Sequence, residues 1–110
     1  MRQWDILLFP FEKEMAHPAV IISNDERCQN GDLDEVNALI CTSAKLNREP
    51  KKHEFILNSA DGLGWKTAVR CDVIYLLPKA EFLEKRGVVS TGRRVGIARK
   101  VAEILRLQMW

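Results

Sequence analysis

The sequence predicts a small, mainly β domain of the α+β class, in which short strands close into a barrel and a helical segment follows. Three observations carry this. Five short apolar runs, bounded by proline, glycine, asparagine or charged residues, fill the first two-thirds of the chain. No long helical pattern interrupts them, and closely spaced short strands suit a small closed barrel. From Pro78 onward the apolar spacing becomes that of helices. At 110 residues, one domain spanning 1–110 is the default.

Trp4-Asp5-Ile6-Leu7-Leu8-Phe9 is the first strand, stopped by Pro10 and the charged turn Glu12-Lys13-Glu14. Ala19-Val20-Ile21-Ile22-Ser23 is the second, bounded by Pro18 and Asn24-Asp25. Residues 24–35 are polar, with Asn30-Gly31-Asp32 as a turn signal. Val36 to Thr42 is the third strand, and the polar residues 43–52, including Pro50, form a loop. His53 to Leu57 is the fourth strand, followed by turn chemistry from Asn58 to Gly64. The fifth and longest is Lys66 to Leu77. Pro78 suits the start of a short helix over Ala80–Lys85, which Gly87 ends. Ser90-Thr91 caps a last helix that runs to about Leu107. Its stripe of Val95, Ala98, Val101, Ala102 and Leu105 is expected to pack on the barrel.

Composition narrows the function classes. With 46% apolar and 29% charged residues the chain reads as globular rather than disordered. No apolar run approaches the roughly 20 residues of a membrane span. The start of the chain lacks the apolar stretch of a secretory signal, so a cytoplasmic location is expected. Cys28, Cys41 and Cys71 are odd in number and form no CxxC pair; Cys41 and Cys71 read as buried hydrophobes. The only histidines, His17 and His53, lie near no cysteine pair, so neither a zinc site nor any other cofactor is expected. The net charge of +2 divides unevenly. Residues 79–110 carry eight Lys or Arg against three Glu (+5), and residues 1–78 carry nine against twelve (−3). A basic C-terminal third can attract nucleic acid or an acidic peptide, but on charge alone a solvated helix face is the favoured reading.

Chemistry concentrates on the fifth strand. Side chains alternate along a strand, so Val69, Cys71, Val73 and Tyr75 share one face while Arg70 and Asp72 share the other, with α-carbons roughly 6–7 Å apart. Taken alone, the pair is more simply an exposed ion pair worth about 0–1 kcal/mol.

The order of motifs along the chain gives the pair a second meaning. His17-Pro18-Ala19-Val20-Ile21-Ile22-Ser23-Asn24-Asp25 resembles the Pro-Ala segment of the MazF/PemK (Kid) toxin ribonucleases. Leu39-Ile40-Cys41-Thr42-Ser43 resembles their third strand, and Ala68-Val69-Arg70-Cys71-Asp72 is similar to the VRCD strand of the PemK branch. The closing helix after Lys85-Arg86-Gly87 fits as well. The resemblance implies an SH3-like barrel, a homodimer, metal-independent cleavage of single-stranded RNA, and neutralisation by an acidic cognate antitoxin. It also implies acid–base roles for Arg70 and Asp72 and a substrate-binding hydroxyl at Thr42, with Ser43 beside it.

Elementary chemistry refines those roles. RNA carries its own nucleophile, the 2′-OH, so an enzyme must remove its proton, stabilise charge on phosphorus and protonate the leaving 5′-oxygen. Asp72 suits the base. A guanidinium forks onto two phosphate oxygens and stays protonated, so Arg70 suits stabilisation rather than proton donation. The family places an arginine before the Pro-Ala segment; here it is His17, and the preceding loop, Phe11 to Ala16, is shorter than the family's. His17 is therefore a candidate proton donor, since an unperturbed imidazole titrates near ~6.5; the simpler alternative is a residue that ends a turn.

Trp65 is a candidate platform for an unpaired base, though packing at the barrel rim is the commoner use. His53, beside Lys51-Lys52, and Arg93-Arg94 are weaker candidates for phosphate contacts, and Trp110 carries no readable role. The competing function is a catalytically silent member of the fold, or one that poisons a protein target as the related CcdB toxins do. A basic nucleic-acid-binding module that cuts nothing is the third.

Overall fold

The computed structural model describes residues 1–107. Seven strands and two helices follow the chain: β1 Asp5–Glu12, β2 Met15–Ile21, α1 Asp25–Gln29, β3 Glu35–Ile40, β4 Glu54–Leu57, β5 Thr67–Arg70, β6 Tyr75–Pro78, β7 Lys85–Val88 and α2 Thr91–Leu105. The strands form an antiparallel five-stranded sheet in the order β6-β3-β2-β1-β7 and a separate two-stranded sheet of β4 and β5. The end of β3 links the two: Cys41 bridges Val69, and the Thr42 N–H donates to the Ala68 carbonyl at 2.9 Å. The α+β, mainly β class is as expected, but the ladders make two sheets rather than an unbroken barrel.

Apolar burial explains the layers. Val20, Leu39, Cys41, Leu57, Val69, Cys71, Val89 and Ile97 pack between the sheets and α2. Ala19, Ile21, Val36, Ala38, Phe9 and Leu77 pack on the opposite face, joined by Cys28 of α1. The large sheet is thus covered on both faces, which is why its central strands read as continuous apolar runs rather than alternating ones.

Several boundaries differ from expectation. β1 continues through Pro10 to Glu12, with a register shift between Phe9 and Glu12 that absorbs the missing N–H. β2 begins at Met15, before Pro18, whose carbonyl still accepts from the Cys41 N–H at 2.8 Å. The polar stretch after Ser23 contains α1, capped by the Asn24 side chain accepting from the Arg27 N–H at 2.8 Å. Lys79 closes its far end, donating to the Arg27 and Asn30 carbonyls at 2.7 and 2.8 Å. The expected Lys66–Leu77 strand is two strands in different sheets, with the chain turning a corner at residues 71–74. The expected helix over Ala80–Lys85 shrinks to a 3-10 turn at Lys79–Glu81, and Lys85 begins β7, which pairs with β1.

The last helix is present, but its expected stripe is corrected. Val95 is 57% exposed and Leu105 38%, whereas Ile97 and Ala102 are buried and Val101 packs against the core. The helix rotates because it lies close over β4 at Gly96, where any Cβ would overlap the Phe55 ring. Ser90 occupies the N-cap position without a side-chain capping bond. Trp110 lies outside the described residues.

Two buried carboxylates hold the small sheet in place. Asp61, with its side chain fully buried, accepts from the Ser90 N–H at 2.8 Å, the Asn58 N–H at 3.0 Å and Arg93 Nη1 at 2.6 Å. It therefore ties the β4–β5 connection to the start of α2. Beside it Gly87 lies so close that a Cβ there would overlap the Asp61 carbonyl oxygen. Glu54 accepts from Arg48 through both oxygens, at 2.7 and 2.9 Å, and from the Lys51 N–H at 2.7 Å, fastening the 43–52 loop to β4.

Gly87→Ala is expected to destabilise the fold by at least about 1–3 kcal/mol because the overlap is with backbone, while Gly31→Ala, with open space around it, serves as the neutral control. Asp61→Ala is expected to cost about 3–5 kcal/mol, since it strands Arg93 and two backbone donors. Chemical denaturation checks both. The Arg48 hydrogen bonds hold the Glu54 carboxyl down at about 2. A depressed carboxyl contributes stability that is complete above its unfolded value and lost as pH falls through the folded one. Acid titration of stability is therefore expected to show a loss between roughly pH 4.5 and 2 that is reduced in Arg48→Ala.

Candidate active site

Two neighbouring pairs of strand ends build the site. The antiparallel pairing of β2 with β3 runs on to Pro18 beside Cys41 and brings the His17 side chain to the Cys41 carbonyl, and that of β4 with β5 sets Glu54 opposite Arg70. A cleft of about 370 Å³ opens between them, lined among others by His17, Thr42, Arg48, His53, Arg70 and Tyr75. Residues from the N-terminal hairpin, the 43–52 loop and the small sheet thus meet in one cavity. Lys51 also lines it, so cations and imidazoles predominate, with Glu54 as the one carboxylate in the lining.

Arg70 and Asp72 form a two-pronged ion pair. Nε donates to Oδ1 at 3.1 Å and Nη2 to Oδ2 at 2.8 Å. Asp72 sits just beyond the end of β5, at the corner, and reaches the cleft through Arg70. The Arg70 guanidinium holds the Asp72 carboxyl below the usual carboxylate range, and the same bonds raise Arg70 further. Asp72 is thus ionised with both oxygens engaged, and a group that draws Arg70 away would free it.

His17 is largely enclosed. Its Nδ1 lies 3.0 Å from the Cys41 carbonyl oxygen, which can only accept, so Nδ1 carries a proton. That fixes Nε2 as the nitrogen that exchanges protons. Nε2 is the one buried side-chain nitrogen or oxygen without a hydrogen-bond partner among the described residues, and Glu12 Oε1 stands 3.7 Å away. The Phe11 ring meets the imidazole edge-on at 5.9 Å.

The hydroxyls behave differently from each other. Thr42 Oγ1 bonds Thr67 Oγ1 at 2.6 Å and accepts from the Ala68 N–H at 3.1 Å, while Thr67 Oγ1 donates to the Thr42 carbonyl at 2.8 Å. Its hydroxyl therefore fastens β3 to β5, although the residue lines the cleft. Ser43 points to the other side and meets Met15 Sδ at 3.2 Å. With the half-exposed Trp65 it lines a separate cavity. The structure thus brings His17, Thr42 and Arg70 together, adds Asp72 through its ion pair, and sets Ser43 and Trp65 apart.

Arg93 and Arg94 are committed to the fold: Arg93 binds Asp61 and Asn58, and Arg94 Nε donates to the Val89 carbonyl at 3.0 Å. His53 joins the cleft, so both histidines of the chain line it. Arg48, Lys51, Glu54 and Tyr75 were not singled out from the sequence. Only the pairing of β4 with β5, which puts Glu54 across from Arg70, could have pointed to one of them. The cysteines are inert: all three are free and buried, burial pushes the Cys71 thiol up to about 11, and Cys41 and Cys28 are raised as well.

Solved structures share this fold. The Mycobacterium tuberculosis toxin MazF-mt6 is 16% identical, with a TM-score of 0.79 over 96% of this chain and 99% of that one. An endoribonuclease from a mycobacterial species, solved with its cognate antitoxin, is 22% identical with a TM-score of 0.82, covering 100% of this chain and 99% of that one. MazF in a MazE–MazF complex of Deinococcus radiodurans is 17% identical with a TM-score of 0.73, covering 98% and 97%. Curated proteins gave no match. A family model described as the PemK-like, MazF-like toxin of type II toxin–antitoxin systems matches residues 2–105, and the chain belongs to that family.

Proposed function

We propose that the protein is an endoribonuclease that cleaves single-stranded RNA without a metal ion and so inhibits growth. The observation that carries this reading is a cation-rich cleft lined by both His17 and Arg70, with Asp72 held beside it by the Arg70 fork. Such a cleft attracts a phosphodiester. The phosphate draws the Arg70 fork onto two of its oxygens, and Asp72, released, takes the proton of the 2′-OH. The bond from O2′ to phosphorus forms as the bond to the 5′-oxygen breaks. Arg70 stabilises the charge on the phosphorane, and Nε2 of the His17 imidazolium gives its proton to the leaving oxygen. The products are a 2′,3′-cyclic phosphate and a free 5′-OH.

The proposal includes a homodimer and an acidic antitoxin. The antitoxin is carried over from two relatives of the same fold, one solved with its cognate antitoxin and one as MazE–MazF. An acidic segment complements the cleft's charge. A second reading, a catalytically silent binder, draws on the resting pair: both Asp72 oxygens are already engaged.

Purified protein with single-stranded RNA and EDTA separates the two. Cleavage leaving 2′,3′-cyclic ends is expected, with a loss of roughly 10²–10³-fold in Arg70→Ala and roughly 10²–10⁴-fold in Asp72→Ala. No cleavage across varied sequences would favour the silent reading. In the free protein the Arg70 fork keeps Asp72 in its base form at acidities where an ordinary aspartate is protonated, so the acid limb of kcat/KM is expected below the usual carboxylate range. His17→Gln is expected to slow cleavage; unchanged cleavage would remove His17 from the mechanism.

A further inference from the structure

A third space lies beside the Asp72 corner, where α2 packs on the start of β4. It is an open groove of about 520 Å³ lined by Lys52, Lys100, Glu103, Ile104 and Arg106. One stretch of chain joins it to the cleft: Lys51 and His53 line the cleft, and Lys52 between them lines the groove. Two successive carbonyls on that stretch fix the order of the parts. The Lys100 ammonium donates to the Lys52 carbonyl at 3.3 Å, and the Cys71 N–H donates to the His53 carbonyl at 2.8 Å. Lys100 therefore stands next to the corner that carries Asp72, and its charge is felt at Cys71, where burial pushes the thiol up and the ammonium pulls it down. His17 is held elsewhere, at Cys41 on the β2–β3 side of the cleft.

We infer that this groove binds the RNA backbone on the 5′ side of the cleaved bond, with its phosphates on Lys52, Lys100 and Arg106. This placement rests on the ribonuclease reading above and deepens it by giving the substrate a direction. The 2′-OH that Asp72 deprotonates belongs to the nucleotide 5′ of the cleaved phosphate, and the 5′-oxygen that His17 protonates belongs to the nucleotide 3′ of it. Attacking and leaving oxygens lie in line on opposite sides of phosphorus. The strand that passes the Asp72 corner is thus the 5′ segment, and the groove is what it meets there.

Charge favours RNA as the occupant. Three cations from two chain segments converge on the groove against one carboxylate, Glu103. None of the three forms an ion pair among the described residues. The negative end of α2 accounts for a cation at Arg106, but Lys52 comes from the other segment. Like charges gathered without partners repel one another, and a strand of regularly spaced phosphates relieves them. Ile104 is the one apolar residue in the lining, which gives a protein partner little to bury.

Trimmed substrates and salt dependence test this. RNAs whose cleaved bond has been mapped are shortened from the 5′ or the 3′ end. Their kcat/KM is compared in the wild type, in Lys52→Ala and in Lys100→Met, which keeps the aliphatic stem. The wild type is expected to lose rate on 5′ trimming and both variants to lose much less, with 3′ trimming affecting all three alike. Equal sensitivity to 5′ trimming in variants and wild type would overturn the proposal. Binding of a non-cleavable 2′-deoxy oligonucleotide, followed by anisotropy across salt concentrations, keeps it distinct from the ribonuclease reading. Each variant is expected to lower the slope of log affinity against log salt by about 0.7, one phosphate contact. That drop in a protein that cuts no RNA would sink the ribonuclease reading and leave the groove as a backbone site. An unchanged slope in an active enzyme would do the reverse. Unchanged RNA binding with weakened binding of a poly-glutamate peptide would assign the groove to an acidic protein partner instead.

Discussion

The fold depends most on the buried carboxylate of Asp61. A two-stranded sheet is unstable by itself, and outside its own ladder the β4–β5 pair meets the large sheet only at the end of β3, through the Cys41–Val69 bridge and the bonds of Thr42. Asp61, on the connection between them, reaches the chain just before α2 and the first turn of that helix. The carboxylate thus replaces the closing ladder that an unbroken barrel would have. Gly87 allows the close approach this needs. The cost of burying the charge is offset by three donors, one of them charged. Arg70 owes its position to this arrangement, because β5 is placed by the same clasp.

Electrostatics in the cleft follow a similar rule. Arg48 is held by Glu54, and Arg70 by Asp72. The two pairs differ in consequence. Glu54 is buried and bound also by the Lys51 N–H, so its pair is a structural rivet. Asp72 is more accessible and is bound by Arg70 alone among side chains, so a competing anion is able to exchange with it. The same chemical motif serves once to fix a loop and once to present a reactive group.

The sequence made the first four strands and the Arg70–Asp72 pair legible because both are local. Apolar runs bounded by prolines and polar clusters mark strands, and a two-residue spacing marks a shared face. What it hid was non-local. Ala80 to Lys85 has the composition of a helix, but the open edge of β1 recruits Lys85–Val88 as a strand, and tertiary pairing outweighs propensity. Val73-Ile74-Tyr75 reads as a continuation of the fifth strand, and nothing local announces the corner between two sheets. The last helix offers two apolar stripes, and only the contact of Gly96 with Phe55 selects the one through Ile97 and Val101. Helix α1 did leave a signal, Asn24 before Asp25 and Glu26, but five residues are too few for periodicity to confirm it. Likewise the cleft's Arg48 and Lys51 lie on a loop, where side-chain placement has no sequence period to reveal it.

The assignment of His17 and Thr42 to the cleft, and of their neighbours Pro18 and Ser43 to the second cavity, has a consequence for how this chain can change over evolutionary time. A period of two means that deleting or inserting a single residue in β2 near His17, or at the end of β3 near Thr42, would exchange the two sides of the strand and send each group into the wrong cavity. Substitution is free to alter what each side presents, as histidine at position 17 illustrates. Length is free to vary only in the loops.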